Sequence, residues 1–185
     1  MTRRCPRSKI PKSSANFKTM NINAKAIILG DNINTDFIIS GRYKFAITDI
    51  KELSKHIMED IDPDFPKKIV AGRSILVAGS NFGMGSSREQ APLVIKASGL
   101  TAVMAKSFAR IFFRNAFNIG LLLIETDTSR ISENDELSID LDAGVVRNIT
   151  KNIELKIKPL PRFMQEFLNE GGVINYIKKH GELKV

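Results

Sequence analysis

The apolar run RSILVAG (73–79) leads directly into NFGMGSSREQAP (81–92), a loop holding Gly83, Gly85 and the serine pair Ser86–Ser87. A short apolar run that ends at glycine reads as a buried strand. The pattern LVIKASG (93–99) that follows is helical and stops at Gly99. The next apolar run, LTAVMA (100–105), reads as a further strand. A strand, a loop, a helix and a strand in succession form a βαβ unit, and such units build parallel sheets.

Working outward, KAIILG (25–30) predicts another buried strand, and DNINTDFIISGRYKF (31–45), rich in turn formers, a long loop. TDIKELSKHIMED (48–60) predicts a helix capped by Thr48 or Asp49, with Ile50, Leu53 and Ile57 at helical spacing before DPDFP (62–66) breaks it. Downstream, SFARIFFRNAFNIG (107–120) predicts a helix capped by Ser107, with Phe108, Ile111 and Phe112 toward the core. LLLIET (121–126) is a fourth strand. ELSIDLD (136–142), GVVRNIT (144–150) and NIELKIK (152–158) read as strands joined by tight turns. Two short helices, PRFMQEFLNEGG (161–172) and VINYIKKHG (173–181), close the chain, with Lys178, Lys179 and His180 expected against the last carbonyls. The expectation is an α/β fold with a mostly parallel sheet and an added antiparallel portion.

Composition narrows the function classes. A hydrophobic content of 43% with no apolar run near 18 residues suits a soluble globular protein. No secretory signal pattern is present, so a cytoplasmic location is expected. The chain has one cysteine, Cys5, and two separated histidines, His56 and His180, so no metal site made by this chain alone is expected. Six of the eight net positive charges fall in residues 1–19, which carry no acid. Residues 1–24 are therefore expected to be a disordered basic extension and residues 25–185 a single folded body. The extension could act in organellar targeting or nucleic-acid contact, although Pro6 and Pro11 interrupt any helix and Met20 is an alternative start. The near-even charge of the body argues against RNA binding as the main function.

Three readings compete for the serine loop. A phosphate cradle of the G-x-x-x-x-G-K-[ST] type fails, because the glycine spacing is wrong and no lysine precedes Ser86. A capping box, with Ser86 at the N-cap and Glu89 three places on, fits better. Pro92 would then sit at the sixth helical position and clash with the Arg88 carbonyl, so the first turn should be bent or separate. The third reading is a ligand site. The loop follows a strand's carboxyl end, where open α/β sheets place ligands, and Arg88 offers a planar two-pronged donor for a carboxylate.

The blocks GSNFGMGSSREQAP (79–92) and AKSFARIFFRNAFNIGLLL (105–123), with GDNINTDFIISGRY (30–43) before them and EGGVINYIKK (170–179) after, resemble the swivelling domain of the aconitase superfamily. The resemblance is to its free-standing form, the small subunits of 3-isopropylmalate dehydratase, and covers nearly all of residues 25–180. It implies a three-layer β/β/α domain and a dehydration–rehydration that moves a hydroxyl between adjacent carbons. It implies Ser86, as its alkoxide, for the proton transfer, and Ser87 and Arg88 for binding a substrate carboxylate. Asp36 matches an aspartate near that site, with an Asx-turn as its alternative role. The resemblance also implies a [4Fe–4S] cluster carried by a large subunit of 3-isopropylmalate dehydratase, with none on this chain, and a hydroxy-dicarboxylate substrate. The segment from Tyr43 reads YKFA; the resemblance implies that an arginine at the place of Phe45 would favour a substrate with another acidic arm, whereas an aromatic ring there favours an isopropyl group. Lys44 could instead reach an acidic arm, which keeps a homoaconitase-type subunit as the alternative. Met84 and Gln90 depart from the family's frequent cysteine and histidine.

Overall fold

The structure is a computed structural model and describes residues 21–44 and 46–182, with Lys44 described by its backbone alone. Four strands carry the first two thirds of the chain: β1 (Asn21–Ile28), β2 (Ser74–Ala78), β3 (Val103–Ala105) and β4 (Leu123–Glu125). They pair in parallel, with Ala26 opposite Ile75, Leu76 opposite Val103 and Met104 opposite Ile124. β5 (Glu136–Asp140), β6 (Val145–Asn148) and β7 (Ile153–Lys156) extend the sheet in antiparallel fashion from the other side of β1, giving the order β4-β3-β2-β1-β5-β6-β7. The six pairings divide equally between parallel and antiparallel.

Strand periodicity sorts the apolar residues into two layers. Ile27, Leu76, Ala78, Val103 and Ala105 face one way and bury against Ile38, Leu53, Ile57, Phe65, Val94, Ile95 and Phe112 of the helical side. The intervening Ala26, Ile75, Val77 and Met104 face the other way and join Leu122, Ile124, Leu137, Ile139, Val146 and Leu155. The antiparallel strands thus cover the sheet face that the helices leave open, which gives the β/β/α arrangement. With both faces covered, β2 is buried along its whole length, which is why it reads as an unbroken apolar run.

The helices are α1 (Thr35–Ile38), α2 (Gly41–Lys44), α3 (Ile50–Ser54), α4 (Phe65–Lys68), α5 (Gln90–Ala97), α6 (Arg110–Asn118), α7 (Arg162–Asn169) and α8 (Val173–His180). Several depart from expectation. β1 begins at Asn21, so residues 21–24 belong to the sheet and not to the extension; their ladder to β5, Asn21 opposite Asp140 through Ala24 opposite Leu137, depends on a partner over 100 residues away. The expected loop 31–45 contains α1 and α2, because fully buried Ile38 and Ile39 tie it to the core. DPDFP does not simply break the chain: Pro66 sits in the first turn of α4, where its missing N–H costs nothing, and Phe65 is buried. α3 has the expected Asp49 cap, which accepts from Glu52 N at 2.9 Å, but ends at Ser54. At the chain's other end Lys179 pairs with Glu170 at 2.5 Å, and His180 lies 3.8 Å from the same carboxylate. The last turn is closed by Gly181, whose N–H donates to the Ile177 carbonyl.

Candidate active site

Three loops at the carboxyl ends of β1, β2 and β3 are tied into one surface. Gly83 N donates to the Ile33 carbonyl at 2.7 Å and Thr35 N donates to the Met84 carbonyl at 2.9 Å, joining the loops after β1 and β2. Phe82 N donates to the Ser107 carbonyl at 3.0 Å, Ala109 N donates back to the Phe82 carbonyl at 2.9 Å, and Ser107 Oγ accepts from Asn81 N at 2.8 Å. Ser107 therefore serves this inter-loop tie and does not cap α6, whose N-cap is Ala109. Fully buried Phe82 meets Phe108 and Phe112 edge-on, with ring centroids 6.0 and 5.2 Å away. Gly83, at φ +78, passes so close to the Phe112 ring that a Cβ would overlap it. Ile111, expected in the core, is 47% exposed because α6 turns only its Phe112 and Ala116 face inward.

The capping-box reading does not survive. α5 starts at Gln90, four residues after Ser86, and its N-cap Glu89 makes no side-chain cap bond. Starting there moves Pro92 from the sixth helical position to the third, where the proline lacks only an N–H that would have been unpaired anyway. Ser86 and Ser87 are consequently left in an irregular, exposed segment. The Ser86 carbonyl accepts from Thr35 Oγ1 at 2.9 Å and from Arg88 N at 2.8 Å, which fixes its backbone. Neither serine hydroxyl has a hydrogen-bond partner among the described residues.

Arg88 is the other fixed group. Its Nη1 donates to the Ile39 carbonyl at 2.8 Å and its Nη2 ion-pairs with Asp36. Asp36 is not the Asx-turn residue of the NTD segment: Asn34 is, accepting from Phe37 N at 2.8 Å. A cavity of about 310 Å³ opens between this loop and α6. Thr35, Ser86, Ser87 and Arg88 line it from the loops, Arg110, Ile111 and Asn115 from α6, and Gly83, Gly85, Ala109 and Phe112 complete the lining. Of the expected site residues, Ser86, Ser87 and Arg88 meet at this cavity and Asp36 joins through Arg88. Lys44 ends α2, whose first residue, Gly41, lies beside the Arg88 guanidinium. Phe45 and the Lys44 side chain lie outside the described residues.

Thr35, Arg110 and Asn115 were not singled out from the sequence. Thr35 could have been suspected from its place beside Asp36. Arg110 has a sharper signal, a cation at the start of a helix. His56 lies elsewhere, with Nδ1 3.0 Å from Glu59 and its ring stacked on Tyr43. Among the described residues no cluster of histidine, cysteine and carboxylate side chains could hold a metal ion, and no helix is long and apolar enough to cross a membrane.

Residues 13–129 match the family model described as the aconitase C-terminal domain. A 3-isopropylmalate dehydratase small subunit 2 from Archaeoglobus fulgidus is 52% identical over 166 residues, 90% of this chain and 100% of that one. A small subunit 1 from Thermotoga maritima is 51% identical over 82% of this chain and 92% of its own length. A crystal structure of 3-isopropylmalate dehydratase from Methanocaldococcus jannaschii matches with a TM-score of 0.82 at 46% identity, covering 88% of this chain and 96% of that one. On these matches, which span most of the chain and of its relatives, the chain belongs to the family of 3-isopropylmalate dehydratase small subunits, built on the aconitase C-terminal domain.

Proposed function

We propose that this chain forms one wall of a two-subunit active site that interconverts 2-isopropylmalate and 3-isopropylmalate by removing and re-adding water, a step of leucine biosynthesis. The observation that carries this reading is the unpartnered Ser86 hydroxyl, held by its locked backbone at the same cavity as the Arg88 guanidinium. The proton to be removed lies on the carbon next to a carboxylate, so it is weakly acidic and needs a strong base. Ser86 supplies that base as its alkoxide: Oγ takes the proton, the C–H electron pair becomes the alkene bond, and the hydroxyl leaves the adjacent carbon with the C–O electron pair, which a Lewis acid on the partner subunit would accept. Cations lining the cavity lower the cost of the alkoxide. Arg88 binds a substrate carboxylate with help from Ser87, and Asp36 positions the arginine. Phe45 is assigned to the alkyl group on the sequence pattern, with Lys44 as the group that would reach an acidic arm on a homoaconitate-type substrate.

A [4Fe–4S] cluster does not fit this chain. Such clusters are held by several thiolates, and the single cysteine, Cys5, lies outside the described residues. The cluster is accordingly assigned to a large-subunit partner, in keeping with the small-subunit names of the relatives. Purified alone, the chain should leave isopropylmalate unchanged; mixed with a cluster-loaded large subunit, it should support both dehydration and rehydration. Turnover by the isolated chain would overturn the two-subunit reading.

A further inference from the structure

We propose that Arg110 anchors the second carboxylate of the substrate, across the cavity from Ser86 and Arg88; the inference rests on the function proposed above. The cavity is lined by two cations and no acid, although a dicarboxylate brings two negative charges. The two cations are not equally available. Arg88 is 13% exposed and already engaged by the Asp36 carboxylate and the Ile39 carbonyl. Arg110 is exposed and has no ion-pair or hydrogen-bond partner among the described residues.

Its position is electrostatically unfavourable in the absence of an anion. Arg110 is the first residue of α6, where the helix dipole repels a cation. Arg114, one turn on, adds a like charge at the i,i+4 spacing, and it too lacks an acidic partner among the described residues. Both side chains are exposed. An external carboxylate resolves the arrangement: it pairs with the guanidinium while the Asn115 amide, on the same side of the cavity and likewise unpartnered, can donate a further hydrogen bond. Arg88 then holds one end of the substrate and Arg110 the other, leaving the reacting carbons between them and within the domain of Ser86.

The test compares Arg110→Gln and Arg110→Lys with wild type in the enzyme reconstituted with its large subunit, using 2-isopropylmalate and its two monoamides. Loss of a charge-assisted pair should raise KM for 2-isopropylmalate roughly 10- to 100-fold in Arg110→Gln with a much smaller change in kcat, and the lysine variant should recover part of it. One monoamide should be a poor substrate for wild type, and Arg110→Gln should treat it no worse than wild type does. Removing a cation from a helix start should leave the melting temperature unchanged or higher. An unchanged KM, an equal penalty on both monoamides in wild type and variant, or loss of subunit association in Arg110→Gln would each overturn the assignment; the last would make Arg110 a partner contact. Calorimetric binding of 2-isopropylmalate to the two complexes gives the same comparison without turnover. If the wild-type complex were inert, the proposed function would fail separately, and equal binding by wild type and variant would still refute the role of Arg110.

Discussion

Arg88 and Asp36 form an ion pair with unequal ends: the arginine side chain is 13% exposed and the aspartate 51%. The buried end also donates to the Ile39 carbonyl, so the guanidinium is held from two directions while the carboxylate stays within reach of solvent. Such a carboxylate orients the arginine and contributes little to folding.

Asp36→Asn should therefore raise KM for isopropylmalate about tenfold, the loss of one charge-assisted contact. It should cost less than about 1 kcal/mol of stability, because the half-exposed aspartate end of the pair is screened by water. Steady-state kinetics beside urea unfolding of the same samples separate the two effects. An unchanged KM would mean that the Ile39 carbonyl alone orients Arg88. Arg88→Lys should be more damaging, since a lysine cannot reproduce both contacts at once.

Ser86→Ala should cut turnover steeply without unfolding anything. The side chain caps no helix, and the contacts that hold the loop use the Ser86 carbonyl, which alanine keeps. The expected loss in kcat is on the order of 10²–10⁴, the usual worth of a positioned proton-transfer group, with KM close to wild type. Stability should move by no more than about 0.5 kcal/mol. Retained turnover would remove Ser86 from the proton transfer.

Gly83→Ala addresses the scaffold of the same loop. The residue has φ +78, and its added methyl would meet the Phe112 ring, itself wedged against Phe82. Strain and overpacking act together, so a destabilisation of about 2–4 kcal/mol is expected from chemical denaturation. Activity in the surviving folded fraction should also fall, because Phe112 lines the cavity. A variant as stable as wild type would show that the loop can lift away from α6.

Acid sensitivity should trace in part to Asp135, which lies just ahead of β5. Burial works to raise its pKa, but the Ser132 N–H at 2.8 Å, the Asn148 amide at 2.6 Å and the Lys151 ammonium at 3.2 Å prevail and hold it below the ordinary value. A depressed folded-state pKa contributes stability that is present above the unfolded value, about 3.9 for aspartate, and is lost as pH falls through the folded one. Asp135→Asn should be less stable than wild type at neutral pH and should lose less of its stability below about pH 4. Urea midpoints measured from pH 6 down to pH 2 would show the two curves converging; parallel curves would exclude Asp135 as the source.

The element types and the βαβ core were legible in the sequence because their signals are local. An apolar run bounded by glycine, as in RSILVAG, is a strand wherever it is covered, and alternation in ELSIDLD or NIELKIK marks a half-buried strand without reference to its neighbours. The serine loop stood out for the same reason: its glycines, serine pair and arginine are contiguous. What stayed hidden depended on residues far apart in the chain. Asn21–Ala24 look like the end of a polar tail and become strand only because Leu137 and Ile139 lie alongside. Ser86 looks like a cap until Pro92, the Thr35 hydroxyl and the Asp36–Arg88 pair move the helix start to Gln90. Arg110 looks like a surface residue until the loop after β2 places an open cavity beside it. Local pattern was enough for the classes of element and the chemistry available in one loop, because periodicity and residue type are properties of neighbours in the chain. Which carbonyl, carboxylate and cation meet at that loop depends on the folded chain, because those contacts join residues 26 to 51 positions apart, and no local pattern encodes them.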